Sequence, residues 1–277
     1  MLRLRQYHVG WQLPGIVVLL LTSLLSNGIG GGKVEFRAFV QSEYRFRANL
    51  GAWANTANLV SQVLTSEFEM ATEPLVLLNK PASSLSTLLA KPETSKGAIK
   101  VFYLGCHVRA DGKILFADGT KEPPSWVAGA LARNDSPWKP DLIIIDTCHA
   151  VSFAYDRPWI DTFPADYLFA SDTNQIAWQI NFRNRQPVLF KEKYPDVYQF
   201  TGNSLGSSWD GTISDLGFRL GKLMASPNNG SKKVYPTPSA LFQALGDIPK
   251  EEGSSGRRLR QSNLIWRDSA GVRAIGR

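Results

Sequence analysis

Among 277 residues the chain has only two cysteines and three histidines. Four of those five stand as two adjacent pairs, Cys106-His107 and Cys148-His149. A thiol beside an imidazole can do three things. With a base nearby it becomes a thiolate nucleophile. With further ligands it holds zinc, but zinc ligands of structural sites are spaced two to four residues apart. Adjacent residues rarely face one metal, so no metal site is expected. Third, two cysteines can pair, which requires their Cα atoms to lie within about 7 Å. A Cys106–Cys148 bridge that reversibly blocks the thiol is geometrically imaginable if both lie at one sheet edge, but it would be an odd structural use of two Cys-His pairs.

Each pair stands at the end of an apolar run. Residues 98–104 (AIKVFYL) lead into Gly105, Cys106 and His107, and residues 142–145 (LIII) lead into Asp146, Thr147 and Cys148. Strands apolar on both faces belong inside a parallel sheet covered by helices, and ligands of such sheets bind beyond the carboxyl ends of the strands. One crossover separates the two runs, and crossovers place successive strands near one another. His107 and Cys148 are therefore expected side by side. His149 points the other way if the strand continues, and is read as a loop residue.

Around this pair the sequence alternates. Residues 34–40 read as a first strand. Leu50, Trp53, Ala54, Ala57, Val60, Val63 and Leu64 recur at helical spacing. A short strand over 75–78 and a helix from Pro81 through Leu89 follow. Asp111-Gly112 marks a hairpin whose returning strand covers 114–117. Pro123 and Pro124 open a helix with Trp126, Val127, Ala130 and Leu131 on its apolar side. Beyond Cys148 the pattern loosens until a strand over 167–171, a helix over 212–225 and a short helix over 238–245. The order of elements predicts an α/β sandwich around a mostly parallel sheet.

The formal charge is +7, concentrated at the ends: residues 250–277 hold seven basic and three acidic residues, and Arg3 and Arg5 add two more. A body close to neutral argues against nucleic acid as partner. Residues 1–32 carry an apolar run (13–25) after Arg3 and Arg5, short for a spanning helix and of the length of a signal-peptide core. Export by a cleaved signal or retention as a membrane anchor is expected, with the body of the chain outside the cytoplasm. Residues 33–249 then form the folded domain, and 250–277 a basic, loosely held tail.

Residues 102–108 (FYLGCHV) together with 143–150 (IIIDTCHA) resemble the histidine and cysteine motifs of the caspase-like (clan CD) cysteine peptidases. The Asp-Thr-Cys-x-Ala form is closest to the legumain and GPI-transamidase branch, and Asp-x-Cys-His is similar to metacaspases. Residues 167–177 (YLFASDTNQIA) resemble the strand that follows the catalytic cysteine. The likeness covers roughly 34–225 and implies a caspase-like three-layer sandwich acting on peptide or protein substrates without a cofactor. It implies Cys148 as nucleophile and His107 as general acid/base. The backbone N–H groups of Val108 and Cys148 would form the oxyanion hole, with Asp146, Ser171 and Asp172 around the substrate side chain. Where the family carries Gly-His-Gly, this chain has Cys-His-Val. Val108 keeps the backbone N–H that an oxyanion donor needs, but valine adopts positive φ only at high cost.

Three functions are compatible with this sequence. One is an endopeptidase working through an acyl-enzyme on Cys148. Another is an inactive caspase-like binding or scaffolding module, for which Val108 is the main support. The third is a transpeptidase or transamidase in which an amine resolves the same intermediate.

Overall fold

The computed structural model describes residues 32–43, 51–91, 95–109, 111–132, 138–155, 165–172, 177–182, 190–226, 234–248, 264–269 and 271–275. The N-terminal apolar run lies outside them. Among the described residues no helix is long and apolar enough to cross a membrane.

Five strands form the parallel centre of the sheet: β1 (Val34–Val40), β2 (Leu75–Leu78), β3 (Ile99–Val108), β6 (Leu142–Thr147) and β7 (Asp166–Phe169). Between β3 and β6 the short strands β4 (Ile114–Leu115) and β5 (Lys121–Glu122) extend β3 as an antiparallel hairpin. At the far edge β10 (Leu264–Asp268) and β11 (Gly271–Ile275) add two antiparallel strands, so the order reads β11-β10-β7-β6-β3-β1-β2. A second, two-stranded sheet pairs β8 (Gln179–Asn181) with β9 (Thr212–Ser214).

Alternation along the central strands fills two layers. Val101, Tyr103, Leu142 and Ile144 face one core. It is closed by helices α1 (Ala52–Glu67), α5 (Pro195–Leu205), α6 (Asp215–Ala225) and α7 (Pro238–Gln243). Phe102, Leu104, Ile143 and Ile145 face the other core, covered by α2 (Ser84–Ala90) and α3 (Pro124–Ala132). A one-turn helix α4 (Phe190–Lys193) precedes α5. The expected α/β sandwich is the observed one. Gly217 brings α6 onto α1: a Cβ there would lie 2.7 Å from Thr56 Oγ1.

The order in which strands join the sheet reverses between β1 and β3: β2 is added on one side of β1 by way of α1, and β3 and β6 on the other by way of α2 and α3, which lie on the opposite face. The carboxyl ends of β1, β3 and β6 thus meet at a switch point, where open α/β sheets bind ligands. Gln41 fastens this rim: its N–H donates to Gly105 O (2.8 Å), its Nε2 to Lys80 O (2.8 Å), and its Oε1 accepts from Ala117 N (2.7 Å).

Three sequence expectations are revised. The loosely held tail does not begin at 250 throughout, since 264–268 and 271–275 are sheet strands. Residues 212–214 form β9, and the helix starts at Asp215 once Ser214 caps it, accepting from Gly217 N. Between the strand expected at 167–171 and residue 212, where no element is expected, lie β8, α4 and α5.

In β1 the charged residues Glu35 and Arg37 are buried on the α2 side. Glu35 Oε2 accepts from Trp138 Nε1 at 2.9 Å and lies 3.7 Å from Arg37 Nη2. Arg37 Nη1 donates to Leu88 O and Lys91 O at the end of α2 (2.9 Å each), and the guanidinium lies 4.4 Å from the Trp138 ring centroid. Truncating one partner of a buried pair leaves the other charge unmet. Arg37→Ala is therefore expected to cost about 3–5 kcal/mol in urea unfolding, a loss that a mere surface contact would not produce.

Candidate functional site

β3 does not stop at Leu104. It runs on to Val108 because β4 takes the place of β1 once that strand has ended at Val40. Cys106 pairs in register with Thr147, the last residue of β6. His107 and Cys148 are each the next residue, on neighbouring parallel strands about 4.8 Å apart. Both continue the side of the sheet occupied by Tyr103 and Asp146, so the topology brings the two expected residues together at one sheet edge. Cys148 is 7% exposed and His107 half-buried.

Backbone direction settles what Val108 can do. Arg109 N donates to Lys113 O at 2.9 Å, making that pair hydrogen-bonded. The adjacent pair Val108 and Ile114 is then of the non-bonded kind, and the N–H of Val108 points away from β4, toward the β6 side. Val108 is regular strand and is absent from the residues with positive φ. The difficulty expected of a valine here does not arise. The left-handed residue is instead His149, with φ 55, immediately after Cys148. Its carbonyl accepts from Ser152 N (2.9 Å) and Ser152 Oγ (2.6 Å), which locks the turn.

Beneath Cys148 lies a polar cluster. Asp146 has no solvent exposure. Its Oδ2 accepts from Tyr103 Oη at 2.8 Å and Ser214 Oγ at 2.6 Å. Ser214 Oγ lies 2.9 Å from Thr56 Oγ1, whose oxygen accepts from Ser214 N at 3.0 Å. Oδ1 of Asp146 is buried without a hydrogen-bond partner. The Trp53 indole lowers the carboxyl's pKa from nearby but is not in bonding geometry with Oδ1. Burial pushes the carboxyl up to about 6, against the opposing hydrogen bonds from Ser214 and Tyr103, and the charge of Asp215 raises it further. Asp146 is thus a fully buried acceptor beneath Cys148.

Ser171 also differs from expectation. Its hydroxyl accepts from Ala150 N (2.9 Å) and donates to Thr147 O (2.8 Å), tying the end of β7 to the turn around Cys148. It holds the turn in place and does not face a ligand. Asp172 follows it, half-buried. Burial raises the Cys148 thiol, backbone N–H groups of Ala177 and Cys148 itself oppose this, and the Asp146 charge adds to the rise. Cys106 is a free thiol facing the α2–α3 core, raised well above its usual range by burial and then by Cys148 and Asp146. Cys148 is free as well. Among the described residues no three His, Cys, Asp or Glu side chains converge as metal ligands would.

A mostly parallel sheet in the order β11-β10-β7-β6-β3-β1-β2 with helices on both faces decides the architecture. The fold is caspase-like. The structure is similar to that of caspase-1 from Spodoptera frugiperda, with a TM-score of 0.53 and 11% sequence identity, covering 90% of this chain and 94% of that one. Likeness at that identity speaks for the fold alone. No family model and no curated protein matches the sequence.

The sequence reading missed Tyr103, Ser214, Thr56 and the Ala177 N–H. Two signals were available. A tyrosine inside a buried strand must find a partner for its hydroxyl, and a serine ahead of an apolar helix is a capping residue. Tyr103 curls over Gly105, where a Cβ would lie 2.8 Å from Tyr103 Cε1 and 3.1 Å from Trp53 Cβ. Gly105→Ala is expected to lower stability by about 1–3 kcal/mol through overpacking, read by thermal unfolding. An unchanged melting temperature would show that the Tyr103 ring yields freely.

Proposed function

We propose that this chain is a cysteine endopeptidase, with Cys148 as nucleophile and His107 as general acid/base. The observation that supports the reading is the register: His107 and Cys148 each follow the Cys106–Thr147 rung on neighbouring parallel strands. The raised thiol rests protonated, so attack requires a base that takes its proton as the bond forms. His107 removes the Sγ proton, Sγ adds to the scissile carbonyl carbon, and the oxyanion is met by the N–H groups of Val108 and Cys148. The imidazolium then protonates the leaving amine as the C–N bond breaks, leaving a thioester on Cys148. Water, deprotonated by His107, releases the acid and restores the thiol.

Substrate is read as an extended peptide. Among the described residues β8 pairs in a sheet with β9, and Ala177, two residues before β8, has its backbone N–H beside the Cys148 thiol, where an extended peptide backbone can add alongside. Asp146 is proposed to meet the side chain before the scissile bond through Oδ1, with Asp172 on the far side. The finer placement nearest the legumain and GPI-transamidase branch, with metacaspase features, rests on the motif residues. Export or membrane anchoring through residues 13–25 likewise rests on sequence, and cell fractionation tests it.

The experiment is covalent labelling. A peptidyl thiol-reactive ketone is expected to modify the intact chain once, at Cys148, and to abolish peptide hydrolysis in the same proportion. Labelling without any hydrolysis to lose would favour the inactive module, whose main support, Val108, has been removed by its strand geometry. Product analysis with an added amine separates hydrolysis from transpeptidation.

A further inference from the structure

We propose that Ser171 is a positioning residue for the oxyanion donor: by holding the carbonyl of Thr147 it aims the N–H of Cys148 into the gap between β6 and β3. This deepens the peptidase reading and rests on it, since an oxyanion forms there only when Cys148 adds to a carbonyl.

The peptide unit is planar and trans, so the C=O of one residue and the N–H of the next point in opposite directions. Whatever holds Thr147 O therefore aims the whole Thr147–Cys148 unit. β6 lies between β7 and β3. Ile145 O faces β7, where it accepts from Ala170 N at 2.9 Å. Thr147 O, two residues further along the extended chain, faces the same way. By then β7 has ended at Phe169. The hydroxyl of Ser171 takes the place of the next ladder N–H, donating to Thr147 O at 2.8 Å. The N–H of Cys148 is thus turned the other way, toward β3. The N–H of Val108 points from β3 toward β6, so the two donors face one gap.

The same hydroxyl accepts from Ala150 N at 2.9 Å, and Ser171 O accepts from Val151 N at 3.2 Å. Ser171 therefore clamps the chain on both sides of Cys148 and His149. It has no solvent exposure, so bulk water does not compete for these bonds. A hydroxyl donates and accepts at one site; alanine at 171 does neither and leaves the 147–148 plane free to rock. The neighbouring carbonyls are held by other groups. Cys148 O accepts from Thr147 Oγ1 at 3.1 Å, and His149 O from Ser152. Of these three hydroxyls, Ser171 is the one that acts on the plane carrying the Cys148 N–H.

The test compares two thiol probes on the full chain. Iodoacetamide alkylates Cys148 by displacing iodide at a saturated carbon, so no oxyanion forms. A peptidyl aldehyde is attacked at its carbonyl carbon. The Sγ–C bond forms, the Sγ proton passes to His107, and the C=O electron pair becomes the alkoxide that the two N–H groups meet. Ser171→Ala is expected to weaken aldehyde binding about 10^2-fold, the order of loss for a group misplaced by about 1 Å. kcat for peptides should fall in proportion with KM little changed, while the iodoacetamide rate stays as it was. Ser171→Thr keeps the hydroxyl and should recover most of the aldehyde affinity. Ser152→Ala removes a hydroxyl from the same turn without touching that plane, and should leave the ratio of the two probes unchanged. If Ser171→Ala does not fold, Ser171→Cys, of similar size and a weak donor, gives the same comparison, with alkylation read at Cys148 by peptide mapping. A parallel fall of both probes, or no change in either, overturns the inference and leaves the peptidase reading standing where the natural chain hydrolyses peptides. Aldehyde binding that depends on Ser171 in a chain that hydrolyses nothing supports the inference and overturns the peptidase reading. A natural chain that neither hydrolyses peptides nor binds the aldehyde overturns both.

Discussion

Replacing Cys148 by alanine is expected to reduce kcat/KM for any cleaved peptide by a factor on the order of 10^4 or more, as loss of a covalent nucleophile does in enzymes of this kind. In the proposed mechanism, removing the sulfur eliminates the acyl-enzyme, and no other described thiol can replace it, since Cys106 is fully buried and faces the α2–α3 core. His107→Ala should cost about 10^2 to 10^4, the usual share of a positioned acid/base. The raised thiol makes the dependence on a base sharper, because little thiolate is present without one. The double variant should be no worse than Cys148→Ala alone, as residues acting as a unit are strongly non-additive. Steady-state kinetics on the three proteins, with unfolding curves to show that each is folded, check this. Hydrolysis that survives Cys148→Ala at the original rate would end the peptidase assignment.

Between pH 4 and pH 7 an Asp146→Asn variant is expected to gain about 3 kcal/mol of stability relative to the natural chain. The sign follows from burial. In the fold the Asp146 carboxyl is raised from 3.8 to about 6, so over that window the folded state keeps a proton that the unfolded chain releases. Stability falls wherever the unfolded state binds fewer protons as pH rises. The fold is therefore helped below about 4 and loses that help as pH passes 6. Asparagine does not titrate and removes this slope, whatever fixed cost its amide adds. Tyr103 on β3, Trp53 and Thr56 on α1, and Ser214 and Asp215 surround or adjoin the carboxyl, with Arg219 paired to Asp215 at 3.3 Å. Denaturant unfolding of both across the range isolates the difference. A difference independent of pH would mean that Asp146 is solvated or ionised throughout.

The parallel sheet, its two covering layers and the position of His107 and Cys148 at the ends of neighbouring strands could be read from the sequence because each is a local signal. Runs such as LIII at 142–145 are apolar on both faces, and only a covered parallel strand tolerates that. The position of a cysteine after such a run follows from chain direction alone. The antiparallel strands Leu264–Asp268 and Gly271–Ile275 are not legible in the sequence, since basic residues and short strands carry no mark of the edge they will join. The partner strand β7 lies far back in the chain. Likewise nothing in the neighbourhood of Asp146 announces Ser214, which arrives from beyond two helices to share its oxygen with Tyr103.

Residue types and spacing thus determined which groups could react and at which end of the sheet they stand. Tertiary structure decided their state: whether Val108 is strand or turn, which oxygen of Asp146 is taken, and that Ser171 ties the turn around Cys148. The physical reason is range. Apolar periodicity is written in consecutive residues, whereas burial and hydrogen-bond saturation depend on atoms brought together from α1, β3, β6 and α6, and those exist as neighbours only once the chain has folded.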